Sequence, residues 1–308
     1  MNYSKLIAID HTRLNGLAKE LAGQDPQTPD WQIEGVLPKN NRAFVSHILY
    51  TITVNFSLVH FQPPYTRFSA DGFQGSLALG RCFYRRFGEN AIPSDTILEI
   101  ASHPEKGQEF FKGDSLPPFL GNRLMNLQEV ADGIKKHFQD NPMHILKAAE
   151  YRTDKLILLL AEKFPITFGQ DFYADTKFYK KPKLFCVMYQ GRALHSNGEL
   201  QPLADPENIG PLIDYRVPAG LREAGILIYT APLAKQIDSQ TVVKRHSEEE
   251  LVIRLAATDA VNELLKKINE YSATRGGQVW TMVELDNYLW KLGQKAKLPH
   301  HLTKTTDY

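Results

Sequence analysis

The chain has 308 residues, of which 43% are hydrophobic and 23% charged, with a formal net charge of +1. That length can bury a substantial core, and near-neutrality argues against a protein whose main partner is a long nucleic acid, usually met by a strongly basic face. The longest compact aliphatic run, Leu156–Ala161, is far below a bilayer span, and Leu6–Ile9 is too short for a signal-peptide core, so a soluble cytoplasmic protein with no membrane partner is expected.

In chain order, residues 10–23 read as a surface helix, with Asp10 as N-cap and Leu14, Leu17, Ala18 and Leu21 at helical spacing. Trp31 and Leu37-Pro38 lie in a connector. Residues 43–60 are apolar and β-branched, but too long without a turn signal for a strand, which points to a buried helix. Asn55 within it is either a satisfied core amide or one facing a ligand. The first cysteine, Cys82, falls in a helical stretch from Gly72 to Gly88 whose polar side carries Arg81, Arg85 and Arg86. Ser94 and Asp95 are candidate caps for a helix through Ser102. An amphipathic pattern from Pro117 to Gln139 runs through Leu124, Leu127, Val130, Ile134 and Phe138. Asn141-Pro142 is a helix start, with Pro165 the next stop.

The stretch Phe178–Tyr189 joins a basic cluster to an apolar run, and Leu184–Tyr189 is the clearest strand candidate. Lys180 and Lys181 are either a solvated helix or strand start or an anion site, where lysine meets phosphate as a point charge. Cys186, in the same run, stands far from Cys82 with no ligand spacing, so neither a disulfide nor a zinc site is indicated.

Asn208–Pro218 sets a carboxylate, Asp214, between the apolar pair Leu212-Ile213 and Tyr215-Arg216, with a proline on either side. Three readings stand side by side: a helix-initiating or ion-paired Asp, a carboxylate that binds a ligand amine, and one that meets positive charge developing on a substrate. Leu221–Gln236 holds a further helical or short extended element. Ser247 to Glu250 is a capping box opening a long helix through Leu251, Leu255, Val261 and Ile268, closed by Gly276-Gly277. Val279–Lys291 is the last long helix, where Met282, Asp286 and Trp290 share a face. His300 and His301 follow without a third ligand at useful spacing, so no metal is expected. No Gly-rich phosphate loop is present, so no dinucleotide cofactor is expected either. Helical signals dominate, without repeats or long linkers, and one mainly α domain over 1–308 with at most a minor β element is the economical reading.

These segments in this order resemble the queuosine-salvage family, whose members are queuosine 5′-phosphate N-glycosylases/hydrolases that release queuine. The resemblance rests on Val54-Asn55-Phe56-Ser57, Phe178–Lys183, Asp214–Pro218 with Gly225–Tyr229, Glu250 and Arg254, Leu285–Trp290, and Pro299-His300-His301 with Thr303 and Tyr308. It covers about residue 40 to the end, leaving the first 40 or so residues peripheral. It implies a mostly helical fold similar to helix-hairpin-helix DNA glycosylases, a small nucleotide or nucleoside as partner, and no cofactor. It carries the catalytic carboxylate onto Asp214 and a base contact onto Asp286. Leu212, Asn287 and Lys291 fall at other base-side positions, and Lys180, Lys181, Asn55, Arg216 and His301 on the phosphate and ribose side.

The chemistry agrees with that assignment. Breaking an N-ribosidic bond builds positive charge on the sugar, which a fixed carboxylate stabilises more in the transition state than in the ground state. Asp214 could serve as electrostatic stabiliser, as base for water or as transient nucleophile. Queuine carries an aminomethyl cation that suits Asp286. The chain departs from the family at Leu212 and Asn287, where aromatics are common, at Lys291, where an acid is common, and at Leu58-Val59, usually an aromatic pair. The alternatives are therefore a divergent member acting on another modified nucleoside or nucleotide, a glycosylase of DNA or RNA, and a non-catalytic nucleoside-binding protein.

Overall fold

The computed structural model of the chain describes residues 3–308. Strand β1 (Ile7–Ile9) leads into helix α1 (His11–Leu21), where the Asp10 carboxylate accepts the Arg13 N–H at 2.9 Å and Leu14, Ala18 and Leu21 are buried. α2 (Asn41–Thr53) is capped by Asn40, whose side chain accepts the Arg42 and Ala43 N–H groups at 3.0 Å. The helix expected over 43–60 thus stops early, and Asn55 lies beyond its end. The reason is tertiary: the Arg123 guanidinium takes the carbonyls of Val54, Phe56 and Ser57, removing acceptors that a continuing helix would need.

β2 (Ser69–Ala70) and β3 (Phe73–Gln74) form a hairpin through Gly72, which sits at φ +83°, so the helix expected from Gly72 begins only at α3 (Ser76–Phe87). In α4 (Ser94–Ser102) neither expected cap forms. The Ser94 hydroxyl pairs with the Tyr50 hydroxyl at 2.8 Å, and Asp95 pairs with Lys135. α5 (Pro104–Phe110) and α6 (Leu120–Phe138) follow.

The single helix expected after Pro142 is two, α7 (Met143–Ala148) and α8 (Thr153–Lys163). Between them Glu150 and Tyr151 adopt left-handed backbone angles, and the Asp205 carboxylate caps α8 from a distant segment, accepting the Thr153 N–H at 2.6 Å. β4 (Phe172–Tyr173) and β5 (Thr176–Lys177) pair antiparallel. The proposed strand Leu184–Tyr189 lies inside α9 (Lys180–Leu194), buried at Phe185, Cys186, Val187, Tyr189 and Gln190. A helix buried on nearly every side carries little periodic signal, which is why its apolar, β-prone residues mislead.

The remaining elements are α10 (Arg216–Glu223), β6 (Leu227–Tyr229), α11 (Ala231–Asp238), β7 (Val242–Val243), α12 (Glu248–Arg275), α13 (Met282–Lys295) and β8 (Leu302–Thr303). Ser247 caps α12 through the Glu250 N–H, but the Glu250 carboxylate reaches one residue further back than a capping box would, to the His246 N–H at 2.9 Å. Gly276, at φ +66°, ends α12. α13 opens with a full capping box that the sequence reading missed: Glu284 accepts the Thr281 N–H at 2.9 Å while Thr281 accepts the Val283 N–H.

The chain divides into two compact units. The first holds residues up to Pro29 and Ile209–Lys304. In it α1 packs along α12, β1 pairs antiparallel with β6, and β7 pairs parallel with β8. The second holds Asp30–Asn208 and Thr305–Tyr308, with α2 packed on α9 and α6, and α4 on α6. Among the described residues the fold is mainly α, with only short strand pairs. Both cysteines are buried thiols, and no helix among the described residues is long and apolar enough to cross a membrane.

Candidate active site

In the first unit, Asp214 sits at the mouth of α10 and is 8% exposed. Its Oδ1 accepts the N–H groups of Arg216 at 2.6 Å and Val217 at 3.4 Å. The next residue, Pro218, has no N–H and so adds no donor to the first turn of α10. The helix-initiating reading of Asp214 is therefore true of its geometry. It does not displace the functional one, because the same two hydrogen bonds fix the carboxylate in one orientation.

The segment before it is gripped from α12. Arg254 donates from Nε and Nη2 to the Ile213 carbonyl, at 3.2 and 3.0 Å, and its Nη1 stands 3.6 Å from the Glu250 carboxylate. Both charged side chains are 1% exposed. A buried pair of this kind stands only with its remaining lone pairs engaged, and Glu250 engages its other oxygen with the His246 N–H. Ile213 and Leu212 are themselves buried and apolar. Glu250 and Arg254 helped carry the family resemblance, but sequence gave them no role. The signal was there, an i,i+4 ion pair on the apolar face of a long helix.

α13 approaches α10 so closely that backbone meets backbone. A Cβ at Gly293 would stand 2.3 Å from the Arg216 carbonyl oxygen, and one at Gly220 would stand 2.9 Å from the Gly293 nitrogen. Arg216 closes the crossing by donating from Nη1 to the Gly293 carbonyl at 3.2 Å. Asp286 is buried on α13 beside Met282, Leu285 and Leu289, while Asn287 is half-buried and Lys291 exposed. Asn287 and Lys291, four apart, share a face that is not the face of Asp286.

The Tyr215 ring packs against His300, with centroids 4.4 Å apart, and His300 donates from Nδ1 to the His301 carbonyl at 2.9 Å. His301 is buried. Desolvation, reinforced by His300 and Arg254, pushes its imidazole down to about 3, so it is neutral at physiological pH and offers a hydrogen bond rather than a charge.

In the second unit, Arg123 ties down the segment after α2, donating from Nη2 to the Phe56 carbonyl at 2.6 Å and from Nε to the Pro118 carbonyl at 2.9 Å. Its guanidinium also stacks over the Phe56 ring, 4.3 Å from the centroid. Sequence reasoning passed over Arg123, although an arginine beside Leu124 on the apolar stripe of α6 was a usable signal. Asn55 is half-buried in the segment so fixed, and the Ser57 hydroxyl donates to the Thr305 carbonyl at 2.6 Å.

α9 opens on Asp171, whose carboxylate accepts the Lys180 N–H at 2.9 Å. Lys180 is buried, and Lys181 is 2% exposed, its ammonium 5.1 Å from the centroid of Phe56 and 5.9 Å from that of Phe168. No hydrogen-bond acceptor meets that ammonium. Burial pulls its pKa down from 10.5 to about 7, against the opposing pull of Asp307 and Asp171. The structure thus gathers Asp214, Arg216 and His301 in one unit with Leu212, Asp286, Asn287 and Lys291, and Asn55, Lys180 and Lys181 in the other. Among the described residues no three His, Cys, Asp or Glu side chains are grouped as a metal ion would require.

Comparison with known proteins adds a consistent picture. The family described as queuosine salvage protein matches residues 36–308. A queuosine 5′-phosphate N-glycosylase/hydrolase of Sphaerobacter thermophilus is 24% identical over 312 residues, covering 99% of this chain and 94% of the relative. Proteins of the same description from Nematostella vectensis and Dictyostelium discoideum are 23% and 25% identical, covering 90% and 70% of this chain and 86% and 65% of their own lengths.

Proposed function

The chain belongs to the queuosine salvage protein family, and from that premise we propose that it is an N-glycosidase hydrolysing the N-ribosidic bond of queuosine 5′-phosphate, or of queuosine, to release queuine. The observation that carries the reading is Asp214: a nearly enclosed carboxylate held by two backbone N–H groups, on a segment whose preceding carbonyl is clamped by Arg254. A carboxylate fixed before the reaction needs no reorganisation when the bond from C1′ to the base nitrogen lengthens and positive charge grows on the ribose. Water then supplies hydroxide to C1′, and its proton goes to the leaving base nitrogen. Asp214 faces the sugar and stabilises that charge. Asp286 pairs with the cationic aminomethyl group of the base, with Leu212, Asn287 and Lys291 around the base. Lys180, Lys181, Asn55, Arg216 and His301 serve the ribose and phosphate.

In this reading residues 1–308 act as one glycosylase domain on a small molecule rather than a long nucleic acid. Two buried free thiols support a reducing, cytoplasmic setting. The aliphatic Leu212 and the exposed Lys291 favour, as a second reading, the same hydrolysis on another modified nucleoside or nucleotide. The deciding experiment incubates the purified protein with queuosine 5′-phosphate, queuosine and ordinary purine nucleotides, and detects free base by mass spectrometry. Queuine release that vanishes in Asp214→Asn supports the first reading. Release of a different base supports the second, and silence from every substrate rejects both.

A further inference from the structure

Residues Thr305–Tyr308 belong to the second unit, where Thr305, Asp307 and Tyr308 are buried. This tail is knotted to Ser57. The Ser57 N–H donates to the main-chain oxygen of Tyr308 at 3.1 Å, and its hydroxyl donates to the Thr305 carbonyl at 2.6 Å. Within the tail, the Thr305 hydroxyl donates to the Asp307 carboxylate at 2.9 Å and accepts the Asp307 N–H at 3.1 Å, which fixes where that carboxylate stands. Ser57 follows Phe56, and the Phe56 ring meets two buried cations. The Arg123 guanidinium lies 4.3 Å from its centroid and the Lys181 ammonium 5.1 Å. Two like charges on one ring repel, and the Lys181 ammonium has no hydrogen-bond acceptor to offset that. A buried ammonium so placed keeps its proton only with opposite charge close by. Burial opposes the Lys181 charge most; Asp307 and then Asp171 favour it, and Lys180 and Arg123 oppose it. Of the two acids, Asp171 spends a carboxylate oxygen on the Lys180 N–H at the start of α9.

We propose that Asp307 is a positioning residue, the counter-charge that lets Lys181 act as a cation, and that the tail it stands on is thereby part of the enzyme's machinery. The knot at Ser57 holds the tail against the segment whose Phe56 ring the lysine faces, so the acid and the ammonium are set by one piece of structure. Asp307 acts through Lys181 and not on the substrate itself. The inference rests on the proposed function in one respect, that Lys181 serves the substrate. Losing the Asp307 charge should leave the lysine largely neutral at pH 7, because the balance that now stands there has only Asp171 left on the favourable side.

The first arm of the test needs no substrate. Urea unfolding of the full chain is followed against pH in the wild type, Asp307→Asn, Lys181→Met and the double variant. Asparagine keeps an acceptor for the Thr305 hydroxyl and removes the charge, and Asp307→Ser takes its place if circular dichroism shows a disturbed fold. The destabilisation that Lys181 causes relative to Lys181→Met begins to fade near pH 7 when Asp307 is present, since between there and 10.5 the unfolded state binds more protons. Without Asp307 it should begin to fade about one pH unit lower, or more. The second arm measures kcat/KM for base release against pH. Asp307→Asn should lower it about fivefold at pH 7 and by less than about twofold at pH 5.5, where the lysine regains its proton. A merely structural defect would not recover in acid. A Lys181 titration that does not move overturns the proposal, and so does a moved titration with a ratio of variant to wild-type activity that is flat with pH. A moved titration in a protein whose wild type releases no base rejects the glycosidase reading and leaves the counter-charge standing.

Discussion

Arg254 and Lys181 are buried to almost the same degree, 1% and 2% exposed, and their surroundings make them opposites. The Arg254 fork is spread over a carbonyl and a carboxylate. The Lys181 ammonium meets two aromatic faces and no hydrogen-bond acceptor. Depth of burial therefore does not say what a charge does; its partners do. The arginine is a strut behind the carboxylate proposed for catalysis, whereas the lysine is held in an enclosure that disfavours its charge and lets it lose a proton near pH 7.

The widest test of this contrast is Asp214→Asn, which keeps the helix cap and removes the charge. Base release should fall about 10³- to 10⁴-fold with the melting transition nearly unmoved; unchanged turnover would reduce Asp214 to a cap and leave Arg254 with nothing catalytic to support. Next comes Arg254→Met, which removes the arginine facing the buried Glu250 carboxylate and should lower stability by about 3–5 kcal/mol in urea unfolding. Adding Glu250→Gln should recover much of that stability while kcat stays depressed, because the Ile213 carbonyl remains unheld. If kcat returned with stability, Arg254 would be structural only.

Lys181→Met should move stability the other way. The native amine loses its proton near pH 7 and the unfolded one near 10.5, so between those values the unfolded state binds more protons and wild-type stability climbs with pH. The burial penalty is whole below pH 7 and gone above 10.5. Substitution should therefore stabilise by about 1–4 kcal/mol at pH 6, with the gain shrinking toward pH 10; a gain independent of pH would mean packing rather than charge. The smallest effect expected is Thr281→Ala, which removes half of the capping box of α13 and should cost about 1 kcal/mol without altering the pH profile.

What was legible in the sequence was local. Asp10 and Ser247 cap their helices and Gly276 ends one, because each acts through backbone groups within a few residues. Much of what failed was decided from a distance. Asp205 caps α8 across 52 positions, Arg123 stops α2 from 66 to 69 residues away, and α9 lost its period because nearly every side of it is covered. The site divides the same way. Asp214, Tyr215 and Arg216 stand together in the chain and drew attention as a motif, whereas the grip of Arg254 on Ile213 spans 41 residues and could be seen only in three dimensions.

The contact of α10 with α13 through Gly220 and Gly293 has a consequence for how such a protein changes over generations. With no side chain on either glycine, the spacing from the mouth of α10 to the face of α13 is set by the close approach of main-chain atoms and by the bond from Arg216 to the Gly293 carbonyl. Residues on the outward faces of α13, Asn287 and Lys291 among them, can be exchanged without shifting that spacing. A lineage can thus retune what it recognises while the bond-breaking end stays put, and the two glycines are the positions where such drift should meet its firmest limit.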